Sequence, residues 1–423
     1  MGRICGFLLS SDMGLRSETL PNLKTTYGGE GQMAVYSREF TKRIDYPLII
    51  ILASLLLIGL LMVYSSSFDF GYRVFDQPTY FFGRQIIWAL LGTAGMIVMM
   101  SVDYHAWRRF SIPLMGGTLF LLVLLLIVGQ ERFGSVRALW GGSVQPSELC
   151  KLIIIIYVAD WLSSKGERLR MVTYGLVPFA ILIGVVAGLI VMQPDFSTAI
   201  LIVVTAIAMF FIAGADIVQL VIGFIFGGVT FGFLISRSEH ALARVKVYLG
   251  SLGGADVGYH VQQNLDALRA GGISGVGLGD GAYKLGILPL AHNDSIFAVL
   301  GEELGLIGCL LVVGLFAALA YRGFQIALEA PDDFGTVLAA GLTCWLIFQA
   351  LINFAVITNT LPFTGIPLPF ISYGGSSLAV SMTGVGLLLG ISRGNVEERP
   401  DEIARYDFGR RDGRSRISRS RRR

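Results

Sequence analysis

Apolar runs of about twenty residues, separated by short polar stretches, recur along the chain from residue 47 to residue 391. A helix of that length crosses a bilayer core of roughly 30 Å. The runs fall at 47–66, 84–102, 110–129, 146–163, 174–192, 196–213, 216–236, 295–320, 335–358 and 368–391, about ten in all. Inside lipid the backbone must satisfy its own hydrogen bonds, and continuous apolar runs suit helices, whereas barrel strands would alternate. The pattern predicts an all-α, polytopic membrane protein with one membrane domain at 47–392. A segment of residues 1–46 precedes it and a tail of 393–423 follows.

Composition agrees: 54% of the 423 residues are hydrophobic and 15% charged, and the mean hydropathy is +0.67, outside the range of a soluble domain. Charge sets the orientation. An even number of spans puts both termini on one side, and placing them in the cytoplasm gives the inner segments 23 of the 33 lysines and arginines, as the positive-inside rule requires. The long loop of residues 237–294 then faces outward, with shorter loops at 67–83, 130–145, 193–195 and 359–367. No cleavable signal sequence is expected, because the first apolar run is too long for one. Cys5, Cys150, Cys309 and Cys344 are isolated in sequence and indicate neither a disulfide framework nor a zinc site. The tail from Gly409 is Arg, Ser, Gly and Asp with almost nothing apolar, so it cannot bury a core and reads as a disordered, solvated segment that enforces the inside topology.

Charges at a membrane boundary are costly unless solvated or paired, and so mark candidate chemistry. Asp294 follows the long outer loop and stands at the mouth of the eighth span. Glu148 and Lys151, three apart just after Pro146, share one helix face, where they either neutralise each other or coordinate a polar substrate. Asp195, after Gln193-Pro194, reads as a helix N-cap. The run Gly271 to Gly281 superficially resembles a nucleotide loop but follows no strand of a βαβ unit. A flexible or re-entrant outer segment is expected there instead. Tyr259, His260, Gln262, Gln263 and Asn264 supply groups able to hydrogen-bond sugar hydroxyls. Residues 359–377, with Thr364, Gly365, Ser372 and three prolines, break the entry to the last span, as backbone does where it lines a cavity.

In this order the segments Gln145-Pro146-Ser147-Glu148 to Lys151, Gln193-Pro194-Asp195, Tyr259 to Gln263, Gly271 to Gly281, Lys284 to Glu303 and Pro367 to Ser377 resemble the SEDS family (shape, elongation, division and sporulation; RodA/FtsW type) over roughly residues 45–393. The resemblance implies an inverting peptidoglycan glycosyltransferase of the bacterial cytoplasmic (inner) membrane. Such an enzyme polymerises lipid II into a nascent glycan strand at the outer face, releases undecaprenyl diphosphate and pairs with a class B penicillin-binding protein; no nucleic acid is involved. It also implies Asp294 as the catalytic base, with Glu148 and Lys151 as a supporting charge pair. Tyr259, Gln263, Lys284, His292, Arg244, Thr364 and Ser372 are then expected at the substrate, and Lys284, Arg244, Lys246 or Lys151 at the diphosphate. No protein metal site is indicated, although a divalent cation bridging the diphosphate would need few protein ligands. His260, Asn264, Leu290, Ser295 and Phe196-Ser197 depart from the usual pattern. The rival reading is a flippase for lipid-linked precursors, whose charges would sit near the bilayer midplane.

Overall fold

Each of the ten predicted runs falls on a helix in the computed structural model, which describes residues 44–128, 145–253, 258–288 and 291–394. Residues 1–43, the loop 129–144, Leu290 and the basic tail from residue 395 lie outside the described residues. The order is α1 (Tyr46–Phe75), α2 (Tyr80–Ser101), α3 (Tyr104–Val128), α4 (Pro146–Ser163), α5 (Leu176–Val191), α6 (Phe196–Ile212), α7 (Ile217–Arg237), α8 (Glu239–Leu252), α9 (Tyr259–Gly271), α10 (Ile296–Glu329), α11 (Asp333–Ile357) and α12 (Gly375–Gly394). There is no strand among the described residues. Seven of these helices are long and apolar enough to cross a membrane on those grounds alone, while α5 and α6 are shorter and α4 carries Glu148, Lys151 and Asp160.

Local chemistry explains where the helices begin. Asp45, Asp195, Asp216 and Asp332 each accept a hydrogen bond from a backbone N–H in the first turn of α1, α6, α7 and α11, filling donors that have no partner within the helix. Asp195 is therefore the N-cap its sequence context suggested, and Pro146 opens α4 at a position that needs no N–H. The tightest pairing joins α2 to α12. Gly386 makes it possible: a Cβ there would lie 2.4 Å from the carbonyl oxygen of Met96, the small-residue packing that lets membrane helices approach backbone to backbone. Helix α11 is central, packed by α4, α6, α10 and α12, with 67% of its apolar window buried; α7, at 6%, stands at the periphery.

Ion pairs and hydrogen bonds sort the helix ends into two groups. Arg322 near the end of α10 pairs with Asp45 before α1 (2.5 Å), Tyr104 at the start of α3 donates to Asp332 before α11 (2.6 Å), and Arg393 in α12 donates to the carbonyl of Met100 in α2. Both ends of the described chain thus lie at one end of the bundle. At the other end, Ser197 donates to the carbonyl of Thr364, Tyr248 to that of Thr360, Gln193 to that of Leu122, and Lys284 to Ser65. These are the ends that the charge distribution assigns to the outer face.

Three expectations need correction at that end. The loop of residues 237–294 contains two helices, α8 and α9. The last helix begins at Gly375, not residue 368, because residues 367–374 form a tight non-helical turn. The glycine run, expected to be flexible or re-entrant, is hydrogen-bonded along its length to the break in α10. Helix α10 breaks at Gly305 (φ 67°, ψ −165°), and the run lies along the break: Val276 and Gly277 donate to the carbonyls of Glu302 and Glu303, and Leu306 and Ile307 donate to those of Gly272 and Ile273. Gly275 (φ +79°) permits the contact, since a Cβ would sit 2.1 Å from the oxygen of Glu303.

Candidate functional site

Asp294 lies in the turn of residues 291–295 between the outer loop and α10, half-buried, and its surroundings come from distant parts of the chain. Its main-chain carbonyl accepts from Asn353 Nδ2 of α11 (3.1 Å). Two residues earlier, the carbonyl of His292 accepts from the backbone N–H of Tyr373 (2.9 Å). Gly365 faces the carboxylate: a Cβ there would lie 3.1 Å from Asp294 Oδ2, and the φ of +72° suits glycine. The 364–374 segment and the turn bearing Asp294 therefore form one unit.

Two cavities flank the chain segment that leads to Asp294. The first, about 290 Å³, lies among α8, the start of α9 and residues 359–363, and is lined by Arg244, Tyr248, Tyr259, His260 and Phe363 among others. The Arg244 guanidinium stands 5.7 Å from the Phe363 ring centroid, and His260 stacks on the same ring at 5.2 Å. Burial and the neighbouring Arg244 charge both lower the pKa of His260, so a neutral imidazole faces this space at neutral pH. The second cavity, about 200 Å³, lies against the outer end of α1 and is lined by Asp69, Phe70, Arg73, Lys284 and His292 among others. His292 packs among Phe70, Phe81 and Tyr373, with ring centroids 4.8–5.6 Å away, and burial brings its pKa down to about 4. Tyr259 Oη donates to the carbonyl of Ile287 (3.4 Å), while Gly286 and Leu288 line the second cavity. The segment that lines the second cavity is thus tied to Tyr259 of the first.

The expected site residues separate into groups. Arg244 and Tyr259 line the first cavity; Gln263 lies one turn beyond Tyr259 on α9, half-buried; Lys246 is an exposed residue of α8. Lys284 and His292 line the second cavity. Thr364 adjoins Gly365, and its buried hydroxyl has no protein hydrogen-bond partner. Ser372 is committed to its own turn, where its Oγ accepts from the N–H of Leu368 (2.8 Å). The Lys284 ammonium is engaged by Glu303 (2.5 Å), Ser65 (2.8 Å) and the carbonyl of Gly279 (2.7 Å). Glu302, given no part by the sequence reading, accepts the backbone N–H groups of Ala282 and Tyr283. Glu302 and Glu303 together fasten the end of the glycine run to α10.

Glu148 and Lys151 form an ion pair of 2.8 Å, with both side chains almost wholly buried. Lys151 also donates to Gln349 Oε1 (3.3 Å) and sits 5.6 Å from the Trp345 ring centroid. The cavity beside Lys151 is about 10 Å³, room for roughly one water. Sequence reasoning missed Gln349 and Asn353. Their signal was present, since two carboxamides four residues apart within an otherwise apolar span have to find buried partners.

Residues 46–397 match the family model FTSW_RODA_SPOVE, described as cell cycle protein. The chain is 38% identical over 355 residues to the probable peptidoglycan glycosyltransferase FtsW of Trichlorobacter lovleyi, covering 83% of this chain and 93% of that protein. It is 42% identical over 360 residues to stage V sporulation protein E of Bacillus subtilis, covering 82% and 97%. Among solved structures it is similar to a chain of a peptidoglycan synthase complex that coordinates polymerization and crosslinking (TM-score 0.68, 26% identity, 84% of this chain and 99% of that chain). The rod shape determining protein RodA of Thermus thermophilus also matches (TM-score 0.63, 25% identity, 84% and 98%).

Proposed function

We infer the chemistry of the site from one premise: the chain belongs to the FtsW, RodA and SpoVE family. It is a multi-pass membrane protein and a peptidoglycan glycosyltransferase. The substrate is lipid II, polymerised at the outer face of the bacterial cytoplasmic membrane. Asp294 is the base, and a class B penicillin-binding protein is the partner that cross-links the product.

The observation that carries the assignment of Asp294 is its place on an anchored non-helical turn at the outer end of the bundle, two residues after His292, which lines the second cavity. A transfer between two lipid-linked sugars needs two binding spaces and one base. Asp294 takes the proton of the acceptor N-acetylglucosamine 4-hydroxyl as that oxygen bonds to the anomeric carbon of the donor N-acetylmuramic acid. The bond from that carbon to the diphosphate oxygen breaks with inversion, and the proton on Asp294 passes to water. Arg244, which lines the first cavity, supplies positive charge for the departing diphosphate. Among the described residues no three His, Cys, Asp or Glu side chains converge as a metal site. A divalent cation used in this reaction would thus be held chiefly by the diphosphate.

The flippase reading is disfavoured at the charge pair it would use as a gate. Glu148 and Lys151 neutralise each other beside a space of about 10 Å³, too small for a sugar headgroup. The deciding experiment supplies lipid II to the purified protein with its transpeptidase. Asp294→Asn is expected to form no glycan polymer while still eluting as the intact complex; polymerisation near the unmodified rate would remove Asp294 from the role of base.

A further inference from the structure

Helix α11 carries three polar side chains at successive i, i+4 positions, Trp345, Gln349 and Asn353, and each is at most 2% exposed. They make a continuous series of hydrogen bonds. Lys151 Nζ and Trp345 Nε1 both donate to Gln349 Oε1, at 3.3 and 3.1 Å. Gln349 Nε2 donates to the carbonyl of Pro367 (3.0 Å). Asn353 Nδ2 donates one hydrogen to the carbonyl of Ile366 (2.8 Å) and the other to the carbonyl of Asp294 (3.1 Å). The series starts at the Glu148–Lys151 ion pair and ends on the main chain of Asp294.

The two acceptors of Asn353 are specific. One is the carbonyl of Asp294 itself; the other belongs to the residue after Gly365, the glycine that abuts the Asp294 carboxylate. A single amide thus ties the turn bearing Asp294 to the segment its carboxylate rests on. Gln349 ties the next carbonyl of that segment to the charge pair. An apolar residue at either position would fill the space and leave buried carbonyls without donors.

We propose that Asn353 and Gln349 are positioning residues of the glycosyl transfer: Asn353 fixes Asp294 directly, and Gln349 carries the anchorage on to Lys151 and Glu148. The buried ion pair then acts on catalysis from a distance, as the fixed end of this ladder. The inference rests on the reading of Asp294 as the base. A displacement of about 1 Å at a reacting group costs on the order of 100-fold in rate, which sets the expected scale.

The test uses the full chain with its transpeptidase and lipid II, and compares Asn353→Ala, Asn353→Ser and Gln349→Met with Asp294→Asn. Asn353→Ala is expected to lower kcat by roughly 10- to 100-fold, with KM for lipid II within about twofold, and to lower the thermal midpoint only as far as two lost buried hydrogen bonds require. Asn353→Ser, which keeps a hydroxyl donor, is expected to recover part of the rate, and Gln349→Met to lose less than Asn353→Ala. An unimpaired Asn353→Ala, a loss that falls on KM, or misfolding of all three substitutions would each overturn the proposal and mark the ladder as architecture alone. An active Asp294→Asn enzyme would instead overturn the assignment of the base, whatever the ladder variants do.

Discussion

Glu148 and Asp294 are both carboxylates in a predominantly apolar bundle, and the protein treats them in opposite ways. Glu148 stands on a regular helix, 4% exposed, and is neutralised by a lysine on the next turn of the same helix. Asp294 stands on a turn, half-buried, and its fixed point is its own main-chain carbonyl, held by Asn353. A helix can keep a charge in a low-dielectric interior only by pairing it, and the pair is then unavailable for proton transfer. A turn anchored through its backbone is held by main-chain contacts, and its position does not depend on pairing the side chain with a charge on the same helix. The difference separates architecture from reaction without appeal to distance from the bundle centre.

The most severe test of that contrast is at the pair. Glu148→Ala strands the Lys151 ammonium in the interior and is expected to cost about 3–5 kcal/mol of stability, read as a large fall in the thermal midpoint of the detergent-solubilised protein. The double replacement Glu148→Leu with Lys151→Met removes both charges and is expected to restore most of the midpoint. Its polymerisation rate then decides the matter. A rate that stays low in a stable protein places the pair at the fixed end of the ladder, whereas full recovery reduces it to a helix-packing device.

A smaller effect is expected where the outer loop meets α10, and two glycines of the same run provide the control. Gly275→Ala meets both a positive φ and the Glu303 carbonyl at 2.1 Å, so the loop has to lift off the break in α10. Gly279→Ala has a similar φ of +90° but open space around the new methyl, and costs only the backbone strain of about 1 kcal/mol or somewhat more. The expected outcome is a clear loss of both thermal midpoint and polymerisation for Gly275→Ala and a modest one for Gly279→Ala. Equal behaviour would mean that the run is a turn-forming sequence and not an anchor.

The same contrast explains what could be read from the chain. Long apolar runs announced the membrane helices, because length and hydropathy are local properties. The cap at Asp195 and the start at Pro146 were legible for the same reason. Helices α8 and α9 stayed hidden, since they are short, amphipathic and set among glycines and charges, so composition resembled a loop. Helix α1 runs to Phe75 although Ser65-Ser66-Ser67 ended the predicted span at residue 66. Those serines are tolerated because Ser65 bonds Glu303 (2.6 Å) and Ser66 and Ser67 face the interior. Asp294 was found as a charge at a boundary. Asn353 was not, because what makes it matter is two carbonyls, one of them 59 residues away in sequence, that only the fold brings to it.

The mildest prediction concerns His292, two residues before Asp294, and uses acidity to probe how firmly that region is closed. Burial among Phe70, Phe81 and Tyr373 brings its pKa down from 6.5 to about 4. Between those values the unfolded chain binds a proton at this imidazole and the folded chain does not, so stability rises with pH through the window. The contribution is fully present above pH 6.5 and is lost progressively as the pH falls toward 4, by up to about 3 kcal/mol at the lower limit. His292→Gln removes this titration, so its thermal midpoint is expected to fall less steeply than that of the unmodified protein between pH 6.5 and 4, with the two curves parallel above 6.5. Parallel curves over the whole range would show that water reaches the imidazole. Convergence at low pH would show that the turn carrying Asp294 is backed by a closed aromatic shelf of Phe70, Phe81 and Tyr373.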